Sequence, residues 1–142
     1  MNLYRVLKAR HQKEVNEFPI SFAFSEKQFA EGMRKLGLDP SETNKVYSIG
    51  AGGFIRKSDS KAFDEMFKRH SDEMRKAIAQ DKTGTGFIKD MFVYEMGNHE
   101  FGYTWDLEPV LDALDLTFKD IEKSKKLQNG LNLAMKLFRE EY

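Results

Sequence analysis

The chain contains no cysteine. Disulfides, cysteine nucleophiles and thiolate zinc sites are therefore excluded. Proline occurs only 3 times and glycine 10 times in 142 residues, so no low-complexity stretch or linker rich in these residues marks a domain boundary. No fixed-period repeat is present. Neither sign of charge dominates, because Lys plus Arg is 23 and Asp plus Glu is 23. A domain-wide basic footprint for nucleic acid is absent. So is the heavy acidity of a protein that imitates DNA by charge. The longest apolar run, Phe18-Pro19-Ile20-Ser21-Phe22-Ala23-Phe24, falls far short of the roughly 20 residues that span a bilayer. Arg5, Lys8 and Arg10 are not followed by a long apolar segment, so neither a signal peptide nor membrane association is expected. The cytoplasm is the default compartment.

What remains is a globular composition. Hydrophobic residues make up 40% and aromatics 13%, with 12 Phe against 1 Trp, which is too apolar for a disordered chain. The length fits one domain, 1–142, burying roughly two-thirds of its unfolded surface.

Apolar spacing predicts mainly α structure, an α+β fold of about six helices with one small β-hairpin. A first helix runs from Leu3 to about Glu17 and is broken at Phe18-Pro19-Ile20. Ser25 with Gln28 reads as a capping box for a second helix, and Gly37 as its stop. Val46-Tyr47-Ser48-Ile49 and Phe54-Ile55-Arg56 flank Gly50-Ala51-Gly52-Gly53 as a hairpin. Phe63, Met66, Phe67, His70, Met74, Ala77 and Ile78 mark the clearest helix, ending near Gln80. A fourth helix carries Phe87, Ile88, Met91, Phe92 and Glu95 on one side and stops at Gly97-Asn98. Phe101, Tyr103 and Trp105 alternate in an irregular stretch. A short helix with Val110 and Leu111 follows, then a box-like start at Thr117 and Asp120, then a last helix with Leu127, Leu131, Ala134 and Phe138.

Catalytic signatures are absent. There is no GxSxG elbow, calcium loop, GxxxxGK[ST] or GxGxxG, and no cofactor or metal is called for. His99-Glu100 begins like a zinc-protease motif, but position 103 is Tyr where a second His is needed. His11 and His70 lie far from it in sequence, and His70 reads as a hydrogen-bonded core or boundary residue. Gly50, Gly52 and Gly53 with Arg56 and Lys57 could cradle an anion. The glycines lead into a strand rather than a helix, however, which favours a plain turn. Between Glu100 and Glu122 stand seven acids and one base, Lys119, which disfavours DNA contact by the helices there. Lys123, Lys125 and Lys126 follow. Phe101, Tyr103 and Trp105, with His99 and Glu100, are the best partner-binding candidates, since aromatics are favoured at binding hot spots. Packing onto the core is the competing reading of the same aromatics.

Several motifs together resemble a family of small uncharacterised proteins encoded on prophages and conjugative elements of Firmicutes, especially gut bacteria. They are Phe22-Ala23-Phe24-Ser25 with Gln28-Phe29, Tyr47 through Lys57, Asn98-His99-Glu100-Phe101 with Tyr103-Thr104, and Leu111-Asp112-Ala113-Leu114. The resemblance spans nearly the whole chain and carries over no catalytic residue. It implies a cytosolic accessory protein of a mobile element. Asp115 stands where the pattern would have glycine, which bears on the geometry of that turn.

The leading expectation is therefore a non-enzymatic protein-binding accessory protein with a host or element-encoded protein as partner. An anti-CRISPR-like inhibitor of a host defence nuclease is one form. A DNA-associated regulator using the C-terminal helices, and a small-ligand or phosphate-binding domain using the glycine turn, are the alternatives.

Overall fold

The computed structural model describes residues 1–141. The fold is mainly α with a small β part. Among the described residues there are eight α-helices and a three-stranded antiparallel sheet. In chain order they are α1 (Leu3–Glu17), β1 (Ser21–Phe22), α2 (Glu26–Lys35), β2 (Val46–Gly50), β3 (Gly53–Arg56), α3 (Ser60–Gln80), α4 (Phe87–Asn98), α5 (Phe101–Thr104), α6 (Glu108–Ala113), α7 (Phe118–Lys123) and α8 (Lys125–Glu141). Among the described residues, no helix is long and apolar enough to cross a membrane. The chain forms two compact units, one from Met1–Arg10 with the chain from Asp72 onward, the other His11–Ser71. Both α1 and α3 contribute a part to each.

In the His11–Ser71 unit the strand order is β1-β3-β2. Ser21 pairs with Phe54 and Phe22 with Gly53 across β1 and β3, while Tyr47 pairs with Ile55 across β2 and β3. Gly50, Ala51 and Gly52 all take left-handed φ values, +90°, +52° and +78°, which reverse the chain between β2 and β3. Met33 of α2 and Leu36 at its C-cap pack on Phe54 to form this unit's core. The close approach depends on Gly32, where an added Cβ would lie 2.7 Å from the Phe54 ring. Ser25 caps α2 as its spacing predicts, accepting from the Gln28 amide at 3.2 Å. Gly37 ends the helix at φ +75°, and the Leu38 amide closes back on the Met33 carbonyl at 2.9 Å.

The second unit is built on α4. Ile88, Met91, Phe92 and Met96 are fully buried and meet Leu127, Leu131, Ala134 and Phe138 of α8. Glycine permits the approach. A Cβ on Gly84 would collide with the Lys126 carbonyl, and one on Gly130 would lie 2.6 Å from Ile88 Cγ2. Asp81 organises the entry to α4 by accepting from the amides of Gly84, Gly86 and Ile88 at 3.0, 3.1 and 3.0 Å. Thr117 and Asp120 form the anticipated capping box at α7.

Two departures from the sequence reading have local causes. The stretch containing Phe101 closes into the single-turn helix α5 because burial of Phe101 overrides its strand-like alternation. The region of the Phe18–Ile20 break leads into a third strand, β1, whose two residues are too few to show a period.

Candidate partner-binding surface

The connection from α4 to α6 holds the aromatic residues. His99 caps α4 by donating its amide to the Glu95 carbonyl at 3.0 Å. Glu100 and Trp105 then bracket α5, both in the left-handed region at φ +55°. Left-handed geometry is unusual for a residue as bulky as tryptophan, and such backbone persists only where its surroundings over-determine it. Here three hydrogen bonds do so: the Tyr103 and Thr104 amides donate to the Glu100 carbonyl, and the Trp105 amide to the Phe101 carbonyl at 2.9 Å. Thr104 Oγ1 then accepts from the Asp106 amide, and Asp106 Oδ1 from the Glu108 amide, leading into α6.

The fixed turn separates the aromatics. Phe101 is 1% exposed and lies edge-on to Trp105 and Phe138, with ring centroids 5.0 and 5.8 Å away. Phe101 is thus a core residue, the competing reading of these aromatics, and supports the turn from inside. Tyr103 is 79% exposed and Trp105 46%. Glu100, Asp106 and Glu108 are exposed beside them, and His99 is half-buried. The outward-facing set is thus two aromatics among carboxylates. Such a set can stack on, and pair with, cationic side chains.

At the glycine turn, neighbouring side chains crowd Gly52 and Gly53. The Phe24 ring fills the Cβ side of Gly52 at 2.7 Å, and Ile49 and Phe22 fill that of Gly53. Arg56 Nε donates to Asp59 Oδ2 at 2.8 Å, and its Nη1 donates to the Leu36 carbonyl at 3.1 Å. Lys57 Nζ lies 4.9 Å from the centre of the Tyr47 ring. Local partners therefore already engage Arg56 and Lys57. Of the three C-terminal lysines considered for DNA, Lys126 donates to the Ile78 carbonyl at 2.9 Å.

Two polar clusters escaped the sequence reading. Glu95, visible only as a carboxylate on an apolar stripe, is buried and accepts from Tyr4 Oη at 3.1 Å, Lys8 Nζ at 3.3 Å and Asn98 Nδ2 at 3.1 Å. Burial raises the Tyr4 hydroxyl well above its ordinary pKa, and the Glu95 charge adds to the effect. In the other unit His11 and His70 stack, with Glu14 Oε2 3.4 Å from His70 Nε2. A forked pair from Arg69 holds Glu14, and the Arg69 hydrogen bond is the main reason its carboxyl falls from 4.5 to about 2. The only signal for this cluster was the place of His70 on a helical apolar stripe.

The fold is mainly α with a small antiparallel sheet, and the candidate site is an aromatic turn flanked by acids. Residues 3–137 match the model of the Family of unknown function (DUF7659), and the chain belongs to that family. Neither the curated proteins nor the solved structures give a match.

Proposed function

We propose that the chain is a non-enzymatic protein-binding accessory protein that engages its partner through Tyr103 and Trp105. The observation that carries this reading is the exposure of two aromatics, Tyr103 and Trp105, on a single-turn helix bracketed by left-handed Glu100 and Trp105, within an acidic segment. Aromatic side chains contribute large contact area at low entropic cost, which suits a hot spot. The surrounding Glu100, Asp106 and Glu108 select a basic partner surface. In the mobile-element setting that the motif resemblance implies, a host defence nuclease would offer such a surface in its nucleic-acid channel, which gives an anti-CRISPR-like inhibitor.

The experiment is a tagged pull-down from host lysate, with and without nuclease treatment, read by mass spectrometry. A near-stoichiometric protein that survives nuclease treatment and is released by raised salt is expected. An empty pull-down, or a catch that disappears with nuclease, overturns the reading.

A further inference from the structure

We propose that the stacked pair His11 and His70 is a pH-sensitive latch between α1 and α3 in the His11–Ser71 unit, closed while the pair carries at most one proton and opened by a second. His11 stands on α1 and His70 on α3. Both rings are buried, with centroids 3.9 Å apart and planes within 13°. The stack ends a run of ring contacts along the seam of the two helices. Phe18, just after α1, meets Phe63 of α3 at 5.6 Å, Phe63 meets Phe67 at 4.8 Å, and Phe67 meets His70 at 5.9 Å. Phenylalanine rings are the same at every pH, whereas imidazole ordinarily gains its charge between about pH 8 and 5. The histidine pair is therefore the part of this seam that answers to pH.

Two neutral imidazoles stack as other aromatic rings do. A first proton has a place in the closed form. Glu14 Oε2 lies 3.4 Å from His70 Nε2, and a cationic ring over a neutral one is attractive. Glu14 stays ionised there, because the Arg69 hydrogen bond holds its carboxyl down at about 2. A second proton is opposed. It would set two imidazolium ions 3.9 Å apart in a buried site, where repulsion is far stronger than in water. The Arg69 guanidinium, forked on Glu14, already draws on the same carboxylate. Other charged groups of these elements are engaged with one another. Arg10 of α1 pairs with Glu73 of α3 at 2.5 Å, Lys13 lies 4.0 Å from Glu17 on the exposed side of α1, and Arg56 of β3 is held by Asp59 and the Leu36 carbonyl. The unfolded chain takes up both imidazole protons near pH 6.5, roughly the ordinary value. The closed form thus binds one proton fewer. Its stability is complete above the ordinary imidazole range and falls as pH drops below it.

The test follows the histidine ring resonances of the full chain between about pH 8 and 5, with amide hydrogen exchange alongside. One imidazole of the pair should take up a proton in the closed form, and the second only as exchange quickens in 11–17 and 60–71. The unfolding constant from urea titration should rise by up to about tenfold per pH unit between roughly pH 6 and 5, the slope of one proton. His11→Phe keeps a ring in the stack and leaves His70 its place beside Glu14, so this rise should vanish. Glu14→Gln removes the counter-charge of the first proton, so the rise should steepen towards about a hundredfold. The resonances of the unaltered chain and the Glu14→Gln slope keep the test open if His11→Phe fails to fold. Two protonated imidazoles with exchange unchanged, or the same slope in all three chains, overturns the proposal.

Discussion

The imidazole rings of His11 and His70 stack with their centroids 3.9 Å apart and their planes within 13°. Both are buried, and Phe67 meets His70 edge-on at 5.9 Å. Stacked rings in a dry site are worth about 1 kcal/mol beyond the area they bury. A double-mutant cycle of His11→Ala and His70→Ala, measured by urea unfolding, should therefore show a coupling of about 1 kcal/mol. Simple additivity would mean that the rings contribute only through burial.

Glu14 beside that stack should govern part of the acid limb. Its folded pKa of about 2 lies below the ordinary 4.5. A depressed carboxylate binds fewer protons folded than unfolded, so its stabilisation is complete above the ordinary value and fades as pH falls towards the folded one. Glu14→Gln should flatten the loss of stability between pH 4.5 and about 2. Chemical denaturation at several pH values reads this out.

Glu95 ties α1 to α4 inside the other unit. Glu95→Ala would strand the Tyr4 hydroxyl and the Asn98 amide and remove the counter-charge of Lys8. Lys8 is partly exposed, so the cost should fall near the low end for a broken buried pair, at about 3 kcal/mol. Thermal unfolding of the variant measures it.

Asp115 lies between α6 and α7 at φ +54°, the conformation for which glycine is suited, and its amide closes on the Asp112 carbonyl at 3.2 Å. Asp115→Gly relieves the left-handed strain but adds chain entropy to the unfolded state, for a net gain of roughly 0.5 kcal/mol and a rise in Tm of about 2 °C. Gly84→Ala combines a positive φ with a backbone collision and should cost about 3 kcal/mol. Calorimetry on the two variants should give shifts of opposite sign.

These residues also show what a sequence makes legible. The long helices α3, α4 and α8 carry their apolar period openly, and Ser25, Gly37 and Thr117 mark ends through local hydrogen bonds. The glycine expected at 115 reappears as a left-handed aspartate, so the demand for that geometry was readable although the residue differed. What stayed hidden depends on distant partners. β1 exists because β3 pairs with it, and α5 because Phe101 is drawn into the core. His11 and His70 meet through the packing of two helices that no spacing rule connects. At the candidate surface, Tyr103 and Trp105 were legible as aromatics, but exposure and burial divide the set only in three dimensions.

Capture of a host protein by the wild-type chain and by Tyr103→Ala, side by side after nuclease treatment, tests the central claim most directly. Tyr103 is exposed, so the variant should keep its fold, which circular dichroism checks. The expected result is a specific protein on the wild-type chain that is lost, or weakened by at least about tenfold, on the variant, as removal of a hot-spot aromatic implies. Equal capture by both chains, or none by either, would contradict the account.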